Sequence, residues 1–397
     1  MKRVYITTAL TCIVILAALI SCFRILNLSA RRDGLKVGFI YDNDESTPYT
    51  YNFSLAKNAL EKKYGESIEI LTRSNVLDNE MEEPLRELAD QGCDIIFFNG
   101  YSELVMQLAP EYPNTQFCQT SYMDMSGVTV PDNYHTFKGE AYQGRYVSGI
   151  AAGMKIKEMI TEGIITEDQA LVGFVAAFPT SEVISGYTAF ILGVRSEVPT
   201  ARMEVKYTET WSSYAKEKSA AKELIEDGCV IISQHTDTIG PAIACEEAIN
   251  SHDVYFVGFN QSMSEVAPGT SLITSRVCWE PYVLGAVDAL MTYNDIESVV
   301  SGNIHGHDIS AGFEKDWVEM IDLNLQVAAP GTQEAMDSAI ELFRQGDGTT
   351  VFRGEYTGTN PNDPSDTIDL RNGYIENETT SYPLFNYILT DIITIKE

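Results

Sequence analysis

The chain has 397 residues, 44% of them hydrophobic and 21% charged, with a formal net charge of −30. That length exceeds one ordinary core and predicts two compact lobes, and the composition is that of a globular protein, not a disordered or fibrous one. The acidic excess repels phosphate backbones and argues against a nucleic-acid partner.

The head differs from the rest. Met1-Lys2-Arg3 is basic, residues 4–20 are almost wholly apolar, and Leu19-Ile20-Ser21-Cys22 follows. A basic start, an apolar run and a small residue before a cut read as a secretory signal over residues 1–21. Cys22 after Leu-x-Ser resembles a bacterial lipobox, whose cysteine takes lipid and becomes the new N-terminus. The rival is an uncleaved signal anchor. The apolar run is near the short end of the roughly 20 residues that span a bilayer, and Arg24, Arg31 and Arg32 follow it. Either reading makes residues 22–34 a linker and places the chain from Gly34 onward outside the cytoplasmic membrane.

Residues 36–42 (KVGFIYD) form a short apolar run and predict a buried strand. Residues 51–64 set Phe53, Ala56 and Leu60 on one face, at helical spacing. Residues 67–72 alternate as a strand, residues 81–91 are helical, and Gly92 is placed to cap that helix. An apolar strand over 94–98, a helix over 102–111 and a strand over 115–119 follow. Strands alternating with helices imply a parallel sheet covered on both faces.

After a helix over 140–160 the pattern restarts. Val172-Gly173-Phe174 echoes Val37-Gly38-Phe39, and "ELIEDGCVIISQHT" (223–236) echoes "ELADQGCDIIFFNG" (87–100). Helix 181–197, strand 203–208, helix 214–227 and strand 229–233 repeat the earlier order, and 255–259 adds a strand. The chain therefore reads as two similar α/β units. The first takes residues 35–135 and 265–302, and the second takes 136–264 and 303–397, including a C-terminal extension. Within that extension Leu384, Tyr387, Ile388 and Ile393 would form an exposed apolar stripe unless they pack on the protein. The cysteines show no CxxC and no regular spacing, so free buried thiols are expected.

Open α/β sheets bind ligands at the carboxyl ends of their strands. The loops there carry Tyr49 and Thr50; Asn99, Gly100 and Tyr101; Phe178 and Glu182; Trp211; His235, Thr236 and Asp237; and Asn260, with Trp279 before a late helix. Flat aromatics beside donors and acceptors suit a small planar polar ligand, rings on its faces and polar groups at its edge.

"VGFVAAFPTSEVISGYTAFILGVRS", "ETWSSYAKEKSAAKELIEDG", "ISQHTD", "APEYPNTQF" and "EAYQGRYVSGIAAGMKIK" together resemble the basic membrane protein family of ABC-transporter substrate-binding lipoproteins, over residues 36–290. The resemblance implies a type I periplasmic-binding-protein fold, α/β, with two doubly wound parallel-sheet lobes joined by a hinge. It implies a purine nucleoside or purine base as ligand, a membrane permease as partner, and no cofactor. By position, Tyr49 stands at the family's first stacking aromatic and Trp211 at the second, from the other lobe. Asn260 stands where nucleoside-binding members often place an Asp for the ribose. An amide still bonds a hydroxyl but carries no charge, so base and nucleoside both stay open. Asp42 or Asp44 is a further candidate for a ribose contact. A monomer is expected.

Other chemistries find less support. His235-Thr236-Asp237 has no nucleophile motif beside it, so catalysis is not expected. His305-Gly306-His307-Asp308 shows no third metal ligand in sequence and reads as a solvated loop. No phosphate-binding or dinucleotide glycine motif occurs. The alternative function is a membrane-tethered sensor using the same cleft.

Overall fold

The computed structural model describes residues 34–396. The expected signal at 1–21, the lipidation at Cys22 and all of the linker but Gly34 lie outside the described residues.

In the first lobe the chain runs β1 (Leu35–Ile40), α1 (Pro48–Tyr64), β2 (Ile68–Arg73), α2 (Glu82–Asp90), β3 (Ile95–Phe98), α3 (Glu103–Leu108), β4 (Gln116–Thr120) and β5 (Tyr134–Gly139). It then crosses into α4 (Ala141–Thr161), β6 (Leu171–Ala176), α5 (Ser181–Glu197), β7 (Arg202–Tyr207), α6 (Tyr214–Glu226), β8 (Ile231–His235), α7 (Gly240–Ala248), β9 (Tyr255–Phe259) and β10 (Ser271–Val277). Next come α8 (Glu280–Met291), α9 (Ile296–Val299), β11 (Asn303–His305) and β12 (Asp308–Ala311). The chain ends with β13 (Val318–Ile321), α10 (Thr332–Arg344), β14 (Thr357–Asn360), β15 (Asp363–Asp369), β16 (Ile388–Leu389) and β17 (Ile393–Lys396).

Two seven-stranded sheets result, ordered β2-β1-β3-β4-β5-β12-β11 and β17-β7-β6-β8-β9-β10-β13. The first five strands of each half are parallel and share one order, β2-β1-β3-β4-β5 against β7-β6-β8-β9-β10. This is the type I periplasmic-binding-protein fold, two doubly wound α/β lobes.

The strand pairing moves the lobe boundaries read from sequence. β10, inside the stretch given to the first lobe, pairs with β9 in the second sheet. β11 and β12, given to the second lobe, extend the first sheet beside β5. β12 takes its place beside β5, far off in sequence, so periodicity cannot assign its sheet or that of β11 paired to it, whereas β10 pairs with the strand just before it and was parted from it by setting the crossing too early. The chain crosses between lobes after Gly139, after Val277 and at Gly312. These crossings are laced together: Glu140 N–H donates to Ala311 O at 2.8 Å and Cys278 N–H to Trp317 O at 2.8 Å.

The repeated sequence corresponds to a repeated corner. Gly92 and Gly228 both take left-handed backbone, φ 81° and 96°, which glycine adopts without Cβ strain. Each turns its helix into the following strand, and Cys93 and Cys229 N–H then reach back to Leu88 and Leu224 O. Gly38 pairs with Ile96, and Gly173 with Ile232. A Cβ on Gly38 would meet Ile96 and Leu88 at 3.1 Å, and one on Gly173 would meet Ile232 at 2.7 Å. The VGF echo and the Gly-Cys echo are thus two sides of one contact. All five described cysteines are buried and unpaired.

The C-terminal extension packs on the protein. β17 joins the second sheet through β7, Ile393 is buried, and Tyr387 and Ile388 lie against the second lobe's core. Ahead of them, residues 376–381 touch both lobes. Glu376 accepts from Ser185 Oγ at 2.7 Å, while Thr380 Oγ1 and Ser381 N–H donate to Asp308 at 2.9 and 2.6 Å.

Candidate functional site

The two lobes face each other with the carboxyl ends of their sheets, and a cavity of about 230 Å³ lies between them. Of the residues expected from sequence, Tyr49, Gly100, Tyr101, Glu182, Trp211, His235, Asp237, Asn260 and Trp279 line it. Thr50, Asn99, Phe178 and Thr236 do not.

Those four stand one layer back. Asn99 is fully buried, and its Oδ1 accepts from Asp42 N–H at 2.9 Å, while its backbone carbonyl accepts from Tyr49 Oη at 2.8 Å. Thr50 Oγ1 donates to Asp42 Oδ1 at 3.2 Å. Together they fix Asp42 and the Tyr49 ring at the cavity wall. Phe178 packs edge-on against Trp211, ring centroids 5.6 Å apart. Thr236 is buried within the loop.

Sequence reasoning missed Asp78, Lys138 and Phe259 as lining residues. Lys138 is next to last in β5, a strand not recognised in sequence, and its Nζ pairs with Glu182 Oε2 of the other lobe at 2.8 Å. Tyr101 Oη donates to the same carboxylate at 3.2 Å. Glu182 therefore joins the lobes at the cavity wall. Arg145, inside α4, was also missed. It is fully buried, donates from Nη2 to Gln234 O at 2.8 Å, and lies 3.6 Å above the Phe259 ring. Burial lowers its pKa to about 9, against a raising effect from Glu182.

The site's electrostatics are uneven. Burial, then the charges of Arg145 and Lys138, push His235 well below the usual histidine range, so its ring is neutral. Burial raises Asp42, and the Asp78 charge adds to it. Asp237 is pushed well up by burial and then by Asp42, Glu217 and Glu182. Carboxyls so placed, one per lobe, are stabilised by a ligand that offers N–H or O–H donors. Asn260 adopts left-handed backbone, φ 64°, and its Oδ1 accepts from Val277 N–H at 3.4 Å, which ties this loop to the second crossing. Trp279 is nearly fully buried beside Phe53 and Phe137, and its Nε1 has no hydrogen-bond partner among the described residues.

A two-lobed α/β protein whose chain crosses three times beside an aromatic, polar-rimmed cavity is a periplasmic-type solute-binding protein. Residues 35–341 match the family described as "Bmp: ABC transporter substrate-binding protein PnrA-like", and the chain belongs to that family. A purine-binding protein of Brucella abortus is 28% identical over 278 residues, which is 69% of this chain and 74% of that protein. A Haloferax volcanii protein provisionally named an ABC transporter glucose-binding protein is 27% identical over 237 residues, 59% of this chain and 55% of that one. Among solved structures, an ABC transporter solute-binding protein of Aeropyrum pernix K1 superposes with a TM-score of 0.64 at 14% identity, covering 83% of this chain and 95% of its own. This last match bears on the fold alone. The family is extracytoplasmic and consists of binding proteins, not enzymes. No helix among the described residues is long and apolar enough to cross a membrane.

Proposed function

We propose that the protein captures a purine base or purine nucleoside in the interlobe cavity and hands it, unchanged, to an ABC permease. It acts as a monomer tethered to the cytoplasmic membrane through its N-terminal region, by lipid on Cys22 or by an anchor helix. The observation that carries the ligand class is the pairing of walls. Tyr49 from one lobe and Trp211 from the other line one cavity, with Asp42 and Asp237 beside them. Rings on both sides suit a flat heterocycle, and carboxyls with raised pKa suit its N–H edge or a sugar hydroxyl. Contacts to both lobes at once favour the closed form, because a ligand shifts the equilibrium only by its differential affinity. The purine-binding relative supports the same reading.

The test begins with mass spectrometry of small molecules released from purified protein. Calorimetry with purine bases, purine nucleosides and glucose follows. Micromolar or tighter purine binding is expected. Trp211→Ala should weaken it at least about tenfold through the lost stacking face. No binding of any purine, or binding of glucose alone, overturns the ligand class. Undiminished purine binding by Trp211→Ala overturns only the sandwich.

A further inference from the structure

His307 stands in the fold beside two groups that no sequence motif joins to it. Glu297 of α9 lies ten positions before it, and His135 of β5 is 162 positions from Glu297. Glu297 Oε1 is 2.6 Å from His135 Nδ1 and 2.9 Å from His307 Nδ1. The two imidazoles have centroids 5.0 Å apart and cross at 76°. One donor atom from each of the three residues falls within 4.8 Å of the other two.

We propose that His135, Glu297 and His307 form a site for one divalent transition-metal ion, Zn²⁺ being the best match. Two imidazoles and one carboxylate are a donor set that zinc accepts with its fourth position left to water. Imidazole selects zinc and its transition-metal neighbours over Mg²⁺ and Ca²⁺, which prefer oxygen. The outer contacts fit as well. His135 Nε2 lies 2.8 Å from Gln116 Oε1. An N–H donated there leaves the Nδ1 lone pair aimed at Glu297. That outward hydrogen bond is the one a ligating histidine makes. A lone pair and a carboxylate oxygen facing each other so closely need a cation between them, a proton or a metal.

Access differs across the site. His135 is 3% exposed, Glu297 18% and His307 33%. One side is therefore anchored in the protein and the other is open to solvent, the direction from which an ion and its water would enter. His135 and Gln116 lie near the amino ends of β5 and β4, and His307 immediately precedes β12. The ligand cavity is at the opposite, carboxyl ends. An ion here would staple α9 and the β11–β12 hairpin to the parallel strands of the first lobe, a structural role apart from solute capture. The chain's acidic excess raises the local concentration of cations around it.

The experiment uses the full secreted chain with any affinity tag removed, stripped with EDTA and then equilibrated with micromolar Zn²⁺ in excess Mg²⁺ and Ca²⁺. Elemental analysis should find one zinc per chain, and thermal unfolding should move upward relative to the EDTA-treated protein. Co²⁺ in place of Zn²⁺ should give the intense visible bands of a four-coordinate ion. His307→Ala, at the open side where folding is least affected, and Glu297→Gln should lose the bound equivalent. Gln116→Ala should weaken zinc affinity by about 10–100-fold. A wild-type chain that takes up no stoichiometric zinc overturns the proposal without need of any variant. So does a bound equivalent that His307→Ala retains.

Discussion

The two lobes are built by one rule and finished by two. Through the corner of Gly38, Cys93 and Ile96 in one, and of Gly173, Cys229 and Ile232 in the other, they match residue for residue in pairing. Past the ends of β3 and β8 they part. Asn99 turns inward to hold Asp42 and Tyr49, whereas His235 faces the cavity, its pKa held down by burial and then by the charges of Arg145 and Lys138. A scaffold position and a wall position thus occupy equivalent places. Duplicated sheets constrain where a loop starts, and the loop's own hydrogen bonds decide which side chain meets the ligand.

The likeness ends most sharply where the lobes join, and the largest effect is expected there. Glu140 follows the first crossing and is 5% exposed. Burial, with the Glu314 charge, raises it to about 7, outweighing hydrogen bonds from Ser310, Asn303 and Gln143. An acid whose folded pKa exceeds its unfolded value binds its proton more tightly when folded. Its stabilising share is complete below about pH 4.5 and is lost as pH rises to about 7. The shift corresponds to roughly 3 kcal/mol between pH 4.5 and 8. Denaturant unfolding across that range should show the decline, and Glu140→Gln should remove this part of the slope. An unchanged slope in the variant would place the pH dependence elsewhere.

The corner itself supplies the next comparison. Gly173 is tighter than Gly38: its added Cβ would meet Ile232 at 2.7 Å, Leu224 Cβ at 3.0 Å and Cys229 Cβ at 3.2 Å, the last two close to backbone. Gly38 would meet the movable ends of Ile96, Leu88 and Cys93 at 3.1 to 3.4 Å. Overpacking of this kind costs about 1–3 kcal/mol. Gly173→Ala should fall toward the upper part of that range and Gly38→Ala at or below the lower, by chemical denaturation. Equal losses would mean that the two corners relax alike.

What was legible in the sequence follows the same division. The strands 36–42, 94–98, 171–177 and 229–233 show themselves as apolar runs between turn residues, and each is found. The echo between halves exposed the repeat because the corner demands small residues at fixed places. Sheet membership of β11 and β12 was not legible, since β5, far off in sequence, decides it, and β10 was misassigned because nothing in an apolar strand marks whether the chain crosses before or after it. In the cavity, Tyr49, Trp211, His235 and Asp237 could be placed because strand ends are where ligands meet such sheets. Asn99, just past a strand end, and Thr50, in the first turn of α1, were misplaced because a polar residue at either place can turn toward the ligand or back toward its neighbours. Arg145 gave no signal at all: a cation in a helix reads as solvated until the fold puts Phe259 beneath it. His135 escaped notice beside His307 because it sits in a strand far off in sequence, and Glu297, ten positions before His307, because that spacing forms no metal motif.

The smallest predicted effect tests the copying most directly. The first helix after the first strand of each lobe, α1 and α5, is 17 residues long and begins after a threonine, Thr47 or Thr180. Thr47 Oγ1 accepts from Thr50 N–H at 3.4 Å, and Thr180 Oγ1 from Val183 N–H at 3.4 Å. Each oxygen satisfies one of the unpaired N–H groups in the helix's first turn, and removing such a cap costs about 1 kcal/mol. Thr47→Ala and Thr180→Ala should therefore lose similar stability, near that value, in urea unfolding. The surroundings differ: Pro48 opens α1, where a missing N–H does no harm, and Thr47 Oγ1 also donates to Asp44 O at 3.3 Å. If Thr47→Ala costs clearly more, the extra bond to Asp44 matters, and the first lobe's cap also shapes the loop that carries Asp42 and Tyr49. In that case Thr47→Ala should weaken ligand binding as well, and Thr180→Ala should not.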